Sequence, residues 1–153
     1  MAGIGDSIRQ FARLKKGQQV GNGECWTLVE TALRNARAQT SNDIMGRDNV
    51  TDDADYVWGD EIMPANAQVG DIVQFRDYVL DLDGETRTEH QTRPHHSAII
   101  DAIRQDGTVQ VYESNVNDSR RIQRNRLFLR SGSVSEGTVT ITGRIWVYRP
   151  RPK

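Results

Sequence analysis

The hydrophobic periodicity changes along this chain, from helical spacing near its start to strand spacing in its second half. In the segment GNGECWTLVETALRNARA, apolar residues from Cys25 to Ala36 recur at i, i+3, i+4, i+7, i+8 and i+11, which is the spacing of one helix face. Later runs are rich in β-branched and aromatic residues and are separated by turn signals: DIVQF, HSAIIDAI, TVQVYE and GTVTITGRIWVYRP. Helices that precede strands, instead of alternating with them, predict an α+β fold in which N-terminal helices pack on a C-terminal antiparallel β-sheet.

The length of the chain, 153 residues, favours a single domain that spans residues 1–153. A shorter amphipathic helix is expected from about Ile8 to Leu14. Residues 39–67 lose this periodicity, which predicts a long, partly helical surface connection. The chain has one cysteine, so an internal disulfide and a cysteine-based zinc site are excluded, and packing must stabilise the fold.

The charge balance gives no sign of a nucleic-acid partner. Lys and Arg total 20 against 21 Asp and Glu, a formal net charge of -1. The basic run RRIQRNRLFLR lacks the interleaved aromatic residues of a stacking platform, so it predicts a solvated sheet or helix face. The sequence does not indicate an oligomeric state.

No stretch of the sequence approaches the roughly 20 apolar residues of a membrane span. The start MAGIGDSIRQFARLKKG lacks the apolar core of a secretory signal. We therefore expect a chain without a membrane span that begins in the cytoplasm. Export by a signal-independent route stays open, as does a leader or a further domain outside this sequence.

We expect no metal and no other cofactor. The three histidines are His90, His95 and His96, and adjacent histidines on a strand point to opposite faces, which disfavours a shared metal site. The acidic residues Asp52, Asp53 and Asp55 lack the glycine turn and late glutamate of a calcium loop. They predict a solvated surface.

Cys25 lies in the first turn of the second predicted helix, just after Gly21 and Gly23. A thiol is a useful nucleophile as its thiolate, and a helix N-terminus and a nearby imidazolium both lower the thiol pKa. Cys25 is therefore a candidate nucleophile. The alternative is a small buried hydrophobic residue, the usual role of a free cysteine.

His96 is the best candidate for the base that Cys25 would need. It opens the strand HSAII, whereas His90 and His95 lie in a polar segment, and His95 is the main rival. The next strand, TVQVYESN, ends with Glu113 and Asn115 on one face. A hairpin between the two strands would place His96 beside Glu113 and Asn115, and either could fix the orientation of the imidazole.

Four motifs in this order resemble the CHAP branch of the papain-like NlpC superfamily, over about residues 19–149. They are Gly23-Glu24-Cys25-Trp26, Gly70-Asp71-Ile72-Val73-Gln74-Phe75, His96-Ser97-Ala98-Ile99-Ile100 and Glu113-Ser114-Asn115. The resemblance implies a papain-like (NlpC/CHAP) fold, with Cys25 as nucleophile, His96 as base, and Glu113 with Asn115 as orienting groups. Members of that superfamily are mostly amidases or endopeptidases of peptidoglycan peptides, so it also implies a peptide or peptidoglycan-like substrate.

The stretch G-x-G-E-C-W-T-L also resembles a cysteine-proteinase-fold domain at the C-terminus of certain fungal actin-patch proteins. This second likeness favours a different function, a catalytically silent binding module on the same fold.

Gln19 lies six residues before Cys25, the spacing at which papain-like proteases place the glutamine of the oxyanion hole. Its amide and the backbone N–H of Cys25 could then stabilise an anionic intermediate. The alternative is a plain loop glutamine, since Gln18 is adjacent.

Overall fold

The computed structural model describes residues 3–153. The helices are α1 (Ile4–Lys15), α2 (Cys25–Asn35) and α3 (Ser41–Met45), with 3-10 turns at Arg47–Asn49 and Pro64–Asn66. The strands are β1 (Asp60–Ile62), β2 (Ile72–Gly84), β3 (Thr88–Ile103), β4 (Thr108–Glu113), β5 (Gln123–Phe128), β6 (Gly132–Val134) and β7 (Gly137–Arg149). They form one antiparallel sheet in the order β1-β7-β2-β3-β4-β5, with β6 paired to β7. The α+β class predicted from the sequence is confirmed.

The predicted apolar stripe of α2 packs against one face of the sheet. Leu28, Val29 and Leu33 are fully buried, and they belong to one core cluster with Ile72 and Ile99 from the sheet. The stripe has the helical spacing, so one side of α2 meets the sheet along its length. This packing fixes the N-terminus of α2, and therefore Cys25, relative to β3. None of the helices within residues 3–153 combines the length and apolar character of a bilayer-spanning segment.

The opposite face of the sheet has its own core, which contains no residue from the described helices. Its buried members come from β2, β3, β4, β5 and β7 and from Leu129 just after β5. The Tyr78 hydroxyl on β2 donates a hydrogen bond of 2.9 Å to the Phe128 carbonyl on β5, although β3 and β4 lie between these strands in the sheet. The sheet is therefore strongly curled, and it buries this face against itself.

β2 changes its side-chain alternation near its middle. Phe75 and Tyr78 both point into the second core, although strict alternation would put residues three apart on opposite faces. Asp77 lies between them at φ 53°, and the pairing of β2 with β7 shifts register at this point. A β-bulge of this kind moves the following side chains to the other face. On β3, the partners of Phe75 and Tyr78 are His96 and Arg93, so the irregularity is shared with the strand that carries His96.

The β3–β4 hairpin forms as the Asp106-Gly107 turn signal predicts. Gly107 has φ 92°, a left-handed conformation that glycine adopts readily, and Ile99 pairs with Tyr112. The start of the segment of β3 that pairs with β4 therefore lies beside the end of β4. The single-domain prediction for residues 1–153 stays a prediction.

Candidate active site

Cys25 is the first residue of α2 and is 8% exposed. Gly23 precedes it at φ 79°, and a Cβ added there would collide with the side chain of Arg120. Glycine therefore lets the chain turn sharply and lets the Arg120 segment approach the helix start. The N-terminal N–H groups of a helix have no intrahelical acceptor, and they create a positive potential where Cys25 lies.

His96 lines the same cleft as Cys25, and His96 and the backbone of Ser97 lower the pKa of the Cys25 thiol. Burial raises the pKa of the Cys25 thiol, but the hydrogen bond and positive charge of His96 outweigh it, so this pKa is lowered overall. Burial lowers the pKa of His96, whereas its hydrogen bonds to Cys25 and Glu113 raise that pKa to about 9. These opposite shifts favour a thiolate–imidazolium pair at neutral pH.

Glu113 is fully buried and accepts four hydrogen bonds. Its Oε1 accepts from His96 Nε2 and from Arg93 Nε, both at 2.9 Å. Its Oε2 accepts from Arg93 Nη2 at 2.7 Å and from Asn125 Nδ2 at 2.8 Å. Burial raises the pKa of Glu113, but the bonds from His96 and Arg93 lower it to about 2. Because His96 uses Nε2 for this contact, Nδ1 is the ring nitrogen left to face the thiol.

Asn115 lies near His96 but makes a different contact. It has φ 61°, and its Nδ2 donates to Glu24 Oε2 at 3.0 Å. Arg120 Nη1 donates to the other oxygen of Glu24 at 2.7 Å. Of the two candidate orienting residues, Glu113 is therefore the one hydrogen-bonded to His96, and Asn115 instead connects its loop to the residue before Cys25.

Gln19 is not brought to the thiol. It is exposed, its Nε2 donates to the Gly21 carbonyl at 3.1 Å, and it does not line the cleft that contains Cys25. The physical reason is local: Gly21 has φ 57°, and the left-handed turn brings its carbonyl within reach of the Gln19 amide.

The other two histidines have structural contacts away from Cys25. His95 Nε2 is hydrogen-bonded to the Ala54 carbonyl, and its ring lies 5.3 Å from the ring of Tyr56. His90 Nδ1 contacts Asp81 Oδ1 at 2.6 Å on the surface. His95 thus supports a wall formed by the segment before β1, whereas His96 faces the thiol.

Two clefts meet at this site. The larger has a volume of about 810 Å³, and Cys25, Trp26 and Tyr56 are among the residues that line it. The smaller has a volume of about 350 Å³ and is lined by β3 residues and the loop after β4. His95, His96 and Asn115 line both clefts, whereas Cys25 lines the larger one only. A substrate that spans both clefts would pass over His96.

Arg93 and Asn125 contact Glu113 but were missed by the sequence reasoning. Strict alternation from His96 puts Arg93 on the opposite face, and the shared irregularity of β2 and β3 defeats that rule. Asn125 lies in the basic run that predicts a solvated face. The polar segment GETRTEHQTRPH contains no signal that distinguishes Arg93 from its polar neighbours.

Comparison with known proteins gives a family and a fold. A model of the AIM3/BBC1 cysteine proteinase-fold domain family matches residues 1–153. A solved structure of Ly7917 is similar with TM-score 0.54 and 18% identity over 94% of this chain, which spans only 62% of the Ly7917 chain. A second, Ly7917 with the hydrolyzing product of MDP, has TM-score 0.51 and 17% identity over 97% of this chain and 82% of that one. No curated protein matches the sequence.

The resemblance to papain-like cysteine proteinases, and to the fungal cysteine-proteinase-fold domain in particular, is confirmed at the level of the fold. The match covers the whole sequence, including the helix that begins at Cys25 and the strand that carries His96. The chain belongs to the AIM3/BBC1 cysteine proteinase-fold domain family.

Proposed function

We propose that this domain is a cysteine hydrolase that cleaves amide bonds through an acyl-enzyme on Cys25. The observation that carries the proposal is that Cys25 and His96 line one cleft, and that His96 Nε2 is hydrogen-bonded to the buried Glu113 carboxylate at 2.9 Å. The pKa of Cys25 is lowered and that of His96 is raised, and both shifts favour the charges that the chemistry requires. Perturbed groups that contact one another in a cleft are characteristic of catalytic sites.

The reaction has two steps. The Cys25 thiolate attacks the substrate carbonyl, the C–N bond breaks, and the His96 imidazolium gives its proton to the leaving amine. The acyl group is then held as a thioester on Cys25. Neutral His96 takes a proton from water, the resulting hydroxide attacks the thioester, and the carboxylic acid leaves as the thiolate and imidazolium are restored.

Glu113 acts on this chemistry through His96. Its hydrogen bond to Nε2 holds the imidazole with Nδ1 toward the thiol and stabilises the imidazolium. Arg93 and Asn125 in turn fix the carboxylate and keep it ionised inside the curled sheet. They are positioning residues, since they contact Glu113 and are not among the residues that line the cleft with Cys25.

The two clefts suggest how a peptide-like substrate lies across the site. The acyl part would occupy the larger cleft, because that cleft contains Cys25, and the amine part would leave past His96 into the smaller one. Peptidoglycan peptides are the first substrates to test, because a similar structure is that of Ly7917 with the hydrolyzing product of MDP. Digestion of purified peptidoglycan, with mass analysis of the products, tests this class. No new products with the wild-type protein would remove peptidoglycan from the proposal.

A catalytically silent binding module is the second candidate, and the position of Gln19 favours it. The donor expected for the oxyanion hole is exposed and bound to Gly21, outside the cleft. Labelling with iodoacetamide separates the two candidates. A hydrolase requires rapid alkylation of Cys25 at neutral pH that becomes slow in His96→Ala, because the thiol is then buried without its cationic partner. A silent module predicts slow alkylation that does not depend on His96.

A further inference from the structure

We propose that Asn22 supplies the side-chain hydrogen bond of the oxyanion hole, in the role that sequence spacing assigns to Gln19. This inference rests on the proposed hydrolase function. Asn22 lies three residues before Cys25 and lines the same cleft. The backbone N–H of Cys25, at the start of α2, would be the second donor.

The orientation of the Asn22 amide is fixed by two hydrogen bonds to its oxygen. Oδ1 accepts from the backbone N–H of Glu24 at 3.0 Å and from the Thr27 hydroxyl at 2.6 Å. An asparagine amide has one oxygen and one NH₂ group, so these bonds leave Nδ2 as the free end. Within residues 3–153, Nδ2 has no hydrogen-bond partner, and a donor in a catalytic cleft is therefore available for a ligand.

The backbone around Asn22 is held in place as well. Arg120 Nη1 donates to the Asn22 carbonyl at 2.9 Å and also to Glu24 Oε1. Gly23 packs so closely on Arg120 that no Cβ would fit between them. A donor on a fixed loop does not need to reorganise when charge develops, and this preorganisation is the main source of oxyanion stabilisation.

The donor acts at one step of the reaction. When the Cys25 sulfur forms its bond to the carbonyl carbon, the C=O π electrons move to oxygen and leave it anionic. Nδ2–H of Asn22 and the N–H of Cys25 would donate to that oxygen. As the intermediate collapses, the C=O bond re-forms, the C–N bond breaks, and His96 protonates the amine.

Two reagents distinguish an oxyanion donor from a residue that only supports the thiol or its loop, because only one of the two reactions passes through an oxyanion. Alkylation of Cys25 by iodoacetamide is a displacement at a saturated carbon, whereas acylation by p-nitrophenyl acetate passes through an anionic tetrahedral intermediate. The variants are Asn22→Ala and Asn22→Asp, and the matched control is Gln19→Ala. Asn22→Asp keeps an oxygen for Glu24 and Thr27 but removes the N–H donor. The rates are compared at pH values above the pKa of the Cys25 thiol, where they no longer depend on its ionisation. This is necessary because the carboxylate introduced by Asn22→Asp also changes that pKa.

The expected result is a loss of about 10²-fold in acylation by both Asn22 variants. Alkylation should stay at the wild-type rate, and Gln19→Ala should leave both reactions unchanged. Wild-type acylation rates in the Asn22 variants would overturn the inference. An equal loss in both reactions would also overturn the inference, because Asn22 would then only support the loop. A loss in Gln19→Ala of acylation alone would overturn it too, because Gln19 would then be the oxyanion donor. Failure of the hydrolase proposal looks different: wild-type Cys25 itself would not be acylated in a His96-dependent way.

Discussion

The Arg93 guanidinium and the Glu113 carboxylate form a two-point ion pair, with bonds of 2.9 and 2.7 Å. Their side chains are 4% and 0% exposed. This pair lies directly beneath the candidate active site, since Glu113 Oε1 also accepts from His96. The negative charge of the Glu113 carboxylate is thus balanced by the positive charge of the Arg93 guanidinium.

Replacing Arg93 by Met should destabilise the protein strongly. The variant removes the Arg93 charge from the buried Glu113 carboxylate, and breaking a buried pair in this way costs about 3–5 kcal/mol. The matched control is Arg87→Met, because Arg87 pairs with Glu89 at 2.6 Å but its side chain is 53% exposed. An exposed pair contributes about 0–1 kcal/mol. Urea denaturation gives the free energy of unfolding of each variant. Equal decreases in Arg93→Met and Arg87→Met would show that the buried Arg93–Glu113 pair stabilises the protein no more than an exposed pair does.

His96 should titrate near pH 9 in the folded protein. Burial lowers the pKa of this imidazole, but the bonds to Cys25 and Glu113 raise it from 6.5 to about 9. The stabilising contribution of the imidazolium is therefore complete below pH 6.5 and is lost as the pH rises through about 9. Histidine NMR can follow this directly, because the chain has only 3 histidines.

Glu113→Gln should lower the titration midpoint of His96. The change removes one of the two groups that raise the imidazole pKa and keeps the shape of the side chain. The same NMR titration measures it, on protein whose fold is first checked by its near-ultraviolet circular dichroism. A midpoint that stays near pH 9 would mean that the His96–Glu113 contact does not control the protonation of His96.

Asn115→Gly should leave the His96 midpoint at its wild-type value. The Asn115 amide donates to Glu24, and glycine tolerates the φ of 61° at this position, so the backbone need not move. This variant is the control for Glu113→Gln, since Asn115 was the other candidate for orienting the histidine. If Asn115→Gly lowered the midpoint as much as Glu113→Gln does, both residues would share the orienting role.

The β3–β4 hairpin could be predicted in useful detail from the sequence. The Asp106-Gly107 turn predicts that the two strands form a hairpin, and the pairing of Ile99 with Tyr112 brings the start of one strand to the end of the other. His96 consequently lies beside Glu113, at 2.9 Å. The exact register was not predictable, because a β-bulge between Ile100 and Ala102 shifts the pairing by one residue.

The environment of Glu113 could not be predicted, because it depends on an irregular strand. Asp77 adopts a positive φ without being glycine, and nothing in its neighbours signals that β2 will change face there. Arg93 therefore contacts Glu113 from a position that alternation assigns to the other side. The Gln19 amide is a similar case, because spacing along the chain does not fix where a side chain on a left-handed turn points.

The most direct test of the central claim is to locate the acyl group after reaction with p-nitrophenyl acetate. The wild-type protein, Cys25→Ala and His96→Ala are quenched in acid and analysed by peptide mass spectrometry. The account predicts one acetyl group on Cys25 of the wild-type protein, which disappears with time as the thioester is hydrolysed. It predicts none in Cys25→Ala and a rate at least about 10²-fold lower in His96→Ala. An unmodified Cys25 in the wild-type protein, or equal acetylation in His96→Ala, would contradict the proposal that this site is a cysteine hydrolase.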